Sequence, residues 1–398
     1  MARDIVAERM QIDTEKRRAV WQEQLSSLMV HPVWGLPILG LVLWFGLYKF
    51  VGEFGAGTLV DFIETNIFES LINPRVDYFF HLLFGEGHLF NLFGGEYGII
   101  TLGVRYAFAI IFPIVGTFFI AFSIIEDTGY LPRLAMLVDR VFKKIGLSGR
   151  ALIPLTLGFG CDTMATIVTR TLETKKEKII ATFLLTLAIP CSAQLGVLLG
   201  LLGGKPLMFA LWALTVLLVF MMSGFLCKCL IKGEEAGFFM ELPPLRLPSF
   251  MNVFTKTYTR LVWYFKEVIP LFILASVAIW LGKLTGFLDV LVRLMSYPVR
   301  WAGMPESASH AFLYGFFRRD FGAAGLFNLA KDGTLSGNSL LVAAVVLTLF
   351  VPCVAQFAVM WKERGKGVAL GMAAFIFPFA FFVGFLLHVI LNVFRVQL

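Results

Sequence analysis

Charge is scarce in this chain. Only 15% of its 398 residues are charged, against about 25% in ordinary soluble domains. With 58% apolar residues and a mean hydropathy of +0.81, that shortage excludes a soluble globular protein. Cysteine and histidine are equally sparse, at five each. The cysteines lie in or beside apolar stretches and lack loop spacing, which excludes a disulfide framework. No cleavable leader is evident, because the first 30 residues are polar and charged. A phosphate-binding loop is also missing. Gly203-Gly204-Lys205-Pro206 comes nearest, but Leu199 stands where the first glycine belongs and Pro206 where the hydroxyl belongs. No nucleotide site is expected in this chain.

What the chain holds instead is apolar length. Several stretches reach the roughly 20 residues that cross a bilayer, and they predict an all-α polytopic membrane protein of about eight or nine membrane segments. Basic residues gather in short loops beside these stretches, at 16–18, 133–150, 170–178, 228–232 and 362–366. Such loops face the cytoplasm. The net charge of +7 therefore reads as orientation in the cytoplasmic (inner) membrane, N-terminus inside. Lipid is the partner it implies, and nucleic acid is not.

Four units follow along the chain. Residues 1–30 carry Ile5, Val6, Met10, Ile12, Val20, Trp21, Leu25 and Leu28 among charges at roughly helical spacing. They predict an amphipathic arm, lying on the membrane or docked to a soluble partner. Residues 31–227 form a first membrane half. Its first span covers about 34–51. Residues 52–97 read as interfacial helices, with His81 and His88 near carboxylates and either solvated or capturing a cation. Residues 228–256 hold Pro243, Pro244 and Pro248 and form a cytoplasmic linker. Residues 257–398 form the second half, with a span over 268–284.

One phrase occurs twice. Thr186-Leu187-Ala188-Ile189-Pro190-Cys191-Ser192-Ala193-Gln194 returns as Thr348-Leu349-Phe350-Val351-Pro352-Cys353-Val354-Ala355-Gln356. Proline inside an apolar helix removes a hydrogen bond and kinks or breaks it. Matched breaks in corresponding halves point to a midplane transport site. Two further landmarks accompany the phrase. Thr128-Gly129-Tyr130 matches Thr285-Gly286-Phe287, and Gly158-Phe159 matches Gly315-Phe316, each pair 157 positions apart. The prolines stand 162 apart, so the second copy holds five extra residues, placed around 331–334. If the short segments at about 151 and 308 re-enter, the repeats are inverted. If they cross, the repeats are parallel.

Candidate site residues cluster at these landmarks. Cys161, Cys191 and Cys353 each stand at or beside a helix break, where freed carbonyls become ligands. Thiolate suits soft or borderline metals, and oxygen suits harder ones. A mixed set of Cys161, Asp162, Cys191, Ser192, Gln194, Cys353 and Gln356 would suit a borderline divalent metal such as ferrous iron. Glu126, Asp320, Pro190 and Pro352 are candidates for the gate or path. Intramembrane carboxylates are functional by default, but Glu126 and Asp127 equally suit a capped membrane boundary. Arg318 and Arg319 could neutralise Asp320, and the two glutamines could bond across helices. Cys227 and Cys229 read as structural.

These residues carry a resemblance. Ile125-Glu126-Asp127-Thr128-Gly129-Tyr130-Leu131 with Asp139-Arg140, then Gly158-Phe159-Gly160-Cys161, Thr169-Arg170-Thr171-Leu172-Glu173 and Pro190-Cys191-Ser192-Ala193 resemble the membrane domain of the ferrous iron transporter B family. So do His31-Pro32-Val33-Trp34-Gly35-Leu36-Pro37, Leu247-Pro248-Ser249, Gly315-Phe316-Phe317, Leu349, Pro352-Cys353 and Ala355. The resemblance runs from about Val30 to the C-terminus. It implies uptake of Fe(II) as the transported substrate, through two gate-like internal repeats. By position, it implies that Cys161, Cys191, Ser192 and Cys353 line the metal path. Asp320 stands where the family usually has Glu, Asp162 where Asn is usual, and Gln194 where Arg is usual. The family usually carries an N-terminal GTP-binding domain. Here a helix like the connector after that domain follows Met1. The expectation is a separate GTPase chain docking on residues 1–30, or a member working without one. A small accessory protein and self-association complete the expected partners.

No chemistry on a substrate is implied, so the chain is not expected to be an enzyme. Two other readings stand beside the permease. One is a carrier for a nucleoside or another small solute on the same repeats. The other is a membrane scaffold or signalling subunit acting through residues 1–30.

Overall fold

The computed structural model describes residues 16–31, 33–84, 108–109, 112–202, 205–234, 237, 245–317, 319–335, 337–350 and 352–394. The first half of the expected arm, Glu86, His88, Glu96, Pro243, Pro244, Arg318 and the side chain of Asp320 lie outside the described residues. Among the described residues there is helix and no strand.

The chain opens with α1 (Lys16–Val30), followed by a continuous helical run, α2, over 35–84. The first repeat is α3 (Phe112–Asp127), α4 (Tyr130–Lys144), α5 (Leu152–Gly158), α6 (Asp162–Val168), α7 (Lys175–Ala188) and α8 (Ser192–Leu202). A single helix, α9 (Pro206–Leu230), precedes the linker. The second repeat is α10 (Phe250–Leu284), α11 (Phe287–Trp301), α12 (Ala308–Phe317), α13 (Arg319–Lys331), α14 (Gly337–Leu349) and α15 (Val354–Arg364). Helix α16 (Lys366–Val393) follows it, as α9 follows the first.

Four helical stretches are long and apolar enough to cross a membrane: Pro37–Val76 within α2, α9, Gly337–Arg364 and α16. The bent pair α3–α4, with an 83° turn, supplies a fifth. Helix α10 has 35 residues and holds the apolar run from Val268 beyond its charged first half. The broken pair α7–α8 covers the remaining long apolar run. Helices α5 and α6 have seven residues each, or about 10 Å of length. That is too short for a roughly 30 Å core. They and α12–α13 therefore return to the face they leave. Between the start of α3 and the start of α10 the chain crosses by α3, α7–α8 and α9. An odd number of crossings inverts the second repeat.

The repeat is written into the turns. Gly129 and Gly286 precede α4 and α11 with φ of 78° and 70°, and Gly146 and Gly303 follow those helices with φ of 79° and 78°. Only glycine adopts this left-handed conformation without penalty. Each pair keeps the separation of 157. Helices α4 and α11 carry their apolar residues on one side, as helices lying at an interface do. The centre belongs to α7 and α14. Ala181, Leu184, Leu185 and Leu187 of one, and Val342 to Val346 of the other, are fully buried. Across the repeats, α6 packs on α15 and α13 on α8.

Three expectations are corrected. Residues 52–84 continue the first span as one helix and do not form interfacial helices. Gly55 serves close approach: its Cβ, if present, would lie 2.2 Å from Thr117 Oγ1 of α3. The linker ends earlier than residue 256, because α10 begins at Phe250 directly after Pro248-Ser249. In α1 the positions of Arg17 and Arg18 fall four and three residues before Trp21 and share its side. Charge and apolar residues are therefore not separated over Lys16–Val30. This helix packs on α4, where Arg133 Nε donates to Ser26 Oγ at 2.8 Å.

The α12–α13 hairpin depends on absent side chains. A Cβ on Gly322 would lie 2.8 Å from the Gly315 Cα and 2.9 Å from the Ala311 oxygen. Both are backbone atoms and cannot swing aside. Gly322→Ala should therefore cost about 1–3 kcal/mol, read by thermal unfolding in detergent. Gly371→Ala, which meets nothing within 4 Å, should leave the transition in place.

Candidate functional site at the repeat interface

Helix α7 stops because Pro190 has no N–H to continue it. Ile189 is extended, at φ −104° and ψ 114°. The carbonyls of Thr186 and Ile189 are left free of the helix. Pro352 ends the second copy likewise, and Cys353 is extended at φ −63° and ψ 160°. The third break falls at Gly160-Cys161. A Cβ on Gly160 would lie 2.2 Å from the Phe118 ring, so no larger residue fits there. Cys161, Cys191 and Cys353 each immediately precede a half-helix: α6, α8 and α15. All three are partly buried. Cys353 lies within electrostatic range of both Cys161 and Cys191.

Hydrogen bonds tie the breaks together. Ser192 donates to the Gly160 oxygen from both its Oγ, at 3.0 Å, and its N–H, at 3.3 Å. Gln194 Nε2 donates to the Leu347 oxygen at 2.8 Å, from the first repeat into the second. Gln356 Nε2 donates to Thr186 Oγ1 at 3.0 Å, from the second into the first. The two glutamines hold equivalent positions, so each repeat reaches into the other's break.

The strongest link is ionic. Arg319 Nη1 lies 2.5 Å from Asp162 Oδ2, with side chains only 5% and 3% exposed. The same guanidinium donates to the Ile189 oxygen at 3.1 Å and the Thr186 oxygen at 2.8 Å. It therefore satisfies both carbonyls that the first break sets free. Arg319 starts α13 and reaches across to α6 of the other repeat, while its expected neighbour, the Asp320 side chain, lies outside the described residues. Asp162 and Arg319 are 157 residues apart, the same separation as the glycine landmarks. Opposite charges thus occupy equivalent positions and meet where the repeats meet. This sign was present in the sequence, four residues beyond Gly158 and Gly315.

Spare acceptors remain. Asp162 Oδ1, Gln194 Oε1 and Gln356 Oε1 are buried without a hydrogen-bond partner among the described residues. Together with three thiols and the Ser192 hydroxyl they offer mixed sulfur and oxygen donors to a cation. Among the described residues, no three His, Cys, Asp or Glu side chains already converge as a metal-holding group. Pro190 and Pro352 sit at this interface. Glu126 does not. It lies at the end of α3, 3.1 Å from Lys256 Nζ and 2.7 Å from Arg260 Nη2 of α10. Beside it, Asp127 holds Arg246 at 2.6 Å and the Ser249 N–H at 2.9 Å, fastening the linker to the α3–α4 turn.

Two inverted repeats whose broken helices meet at their interface define a transporter-type membrane fold. Comparison with known proteins places the chain more closely. A family model described as Gate, nucleoside recognition, matches residues 108–205 and 265–367, half of the chain and the two repeats themselves. A second, for the C terminus of ferrous iron transport protein B, matches residues 208–260. The chain is similar to the Fe(2+) transport protein A/Fe(2+) transporter FeoB fusion protein of Porphyromonas gingivalis, at 31% identity over 65% of this chain and 30% of that protein. It is also similar to the Fe(2+) transporter FeoB of Staphylococcus aureus, at 26% identity over 92% of this chain and 60% of the relative. FeoB of Campylobacter jejuni is 26% identical over 92% of this chain and 65% of its own length. The chain thus spans less than two thirds of each of these relatives. No solved structure matches it. The chain belongs to the Gate family.

Cross-repeat hydrogen bonds should outweigh local ones. Gln194→Leu removes the side-chain donor to the Leu347 oxygen and should cost about 1–3 kcal/mol. Ser192→Ala leaves the Gly160 carbonyl its second donor, the Ser192 N–H, and should cost about 1 kcal/mol or less. Thermal unfolding of both variants in one detergent checks the order.

Proposed function

We propose that this chain is the permease of a ferrous iron uptake system in the cytoplasmic membrane, with Fe(II) as its transported substrate. The observation that carries the reading is the placement of Cys161, Cys191 and Cys353 at the starts of three half-helices on one repeat interface. Thiol sulfur with amide, hydroxyl and backbone oxygen is a donor set for a borderline divalent ion. The names of the FeoB relatives support the same ion. Asp162, Ser192, Gln194 and Gln356 join the cysteines as candidate ligands, and Pro190 and Pro352 hold the breaks open. Asp320 stays a gate candidate by position alone. Glu126 acts through the α10 contact and not at the metal.

The basic residues that end α4, α9 and α15 share one face, which the positive-inside rule assigns to the cytoplasm. Residues 1–30 would receive a GTPase there. Helix α1 rests on α4, so a load on the arm reaches the first repeat directly. A small accessory protein is the second expected partner, since the Porphyromonas relative is fused to Fe(2+) transport protein A.

A second reading follows from the description of the Gate family as nucleoside recognition. A nucleoside carrier would ignore both ferrous iron and the loss of thiols. Ferrous flux into proteoliposomes separates the two. Cys161→Ser, Cys191→Ser and Cys353→Ser should each lower it by about tenfold or more, as expected for a lost ligand, while the protein still inserts. Undiminished flux in all three variants would remove the cysteine path.

A further inference from the structure

The pocket around Asp162 is built for a cation and holds one that belongs to the chain. Its occupied acceptors are Asp162 Oδ2 and the oxygens of Thr186 and Ile189. One carboxylate oxygen with backbone carbonyls is the donor set of hard and borderline divalent ions. Asp162 Oδ1 adds a further acceptor that is buried and unused. The occupant is the Arg319 guanidinium. It stands at the first residue of α13, where the helix macrodipole disfavours a positive charge. It also leaves its own Nε buried without an acceptor among the described residues. The protein thus holds a cation in a place that suits the oxygens better than it suits the arginine.

We propose that Arg319 is a tethered surrogate cation. It fills the Asp162 pocket while the path is empty, and an entering divalent ion displaces it. The inference rests on the reading that a divalent ion passes between the repeats. Displacement favours double charge, because a divalent ion doubles the attraction to Asp162 at a given distance. A monovalent ion gains nothing over the arginine. Release of Arg319 also frees the α12–α13 hairpin. The close Gly315–Gly322 contact makes that hairpin one unit, so it moves as a whole when its arginine lets go. Arg319 is in this sense a specificity-determining residue, acting by competition.

The test uses the full chain in detergent, with Mn2+ as the probe, read by its paramagnetic resonance signal. Arg319→Gln removes the competitor and should bind Mn2+ about tenfold tighter or more than the unaltered chain. The double variant Asp162→Asn/Arg319→Gln should lose that gain. Unchanged or weaker binding in Arg319→Gln, or a gain that survives loss of Asp162, overturns the proposal. Should Arg319→Gln fail to fold, Arg319→Lys takes its place. It keeps the charge but loses the fork that spans three acceptors. It should bind Mn2+ about threefold tighter, and equal or weaker binding overturns the proposal as well. Ferrous flux of the unaltered chain is measured in parallel. Absent flux with the affinity gain in place overturns the transport reading alone. Normal flux without the gain overturns the surrogate cation alone.

Discussion

The buried pair of Arg319 and Asp162 is the constraint on which the rest of the interface turns. Proline breaks alone would leave carbonyl groups of α7 without partners inside a membrane protein, each costing several kcal/mol. Arg319 supplies the donors that Pro190 removed. It does so from the other repeat, so the break in one half is stable only with the second half in place. The glutamines repeat this logic on a smaller scale. Gln194 serves the break after α14, and Gln356 reaches Thr186 beside the break after α7. Each repeat is completed by its counterpart, which is why the sequence must carry both.

The sequence made this architecture legible because its strongest signals are backbone signals. Proline inside an apolar helix marks a candidate break, and the repeated Pro-Cys phrase marks it twice. Glycine at 129, 146, 286 and 303 marks turns that only glycine makes easily. Such features need no knowledge of neighbours. The second repeat, the short re-entrant segments and the cysteine positions follow from them. The extent of α2 did not follow. Gly52, Gly55 and Gly57 look like breakers in isolation, and the use of Gly55 is to admit Thr117 of α3. The partner of Arg319 was hidden for the opposite reason. Asp320 is adjacent in sequence, whereas Asp162 is adjacent only once the repeats are superposed. An ion pair between equivalent positions has no local trace.

The two ends of the interface are closed by different means. On the basic face Arg170 pairs with Glu363, with Nε 2.8 Å from Oε2, and Arg364 bonds Thr182 at 3.0 Å and also Thr169. These contacts join α6 and its exit to α15. The inverted counterpart joins α13 to α8. There the position of Arg170 is held by Phe327, whose ring would lie 3.8 Å from a Cβ on Gly200. One end is charged and hydrogen-bonded, and the other is apolar, with Leu198 and Leu326 fully buried. The repeats share a backbone plan but not a chemistry of closure.

Magnitudes then decide where the barrier to opening lies. In the Arg170–Glu363 pair Arg170 is 60% exposed and Glu363 8%, so it stands between an exposed pair, at about 0–1 kcal/mol, and a fully buried one. A ring resting on a glycine contributes little more than its buried area. Removing one partner from a buried pair, in contrast, costs about 3–5 kcal/mol. Neither end of the interface compares with the Arg319–Asp162 contact at its centre. Separation of the repeats is therefore limited by the centre and not by the ends.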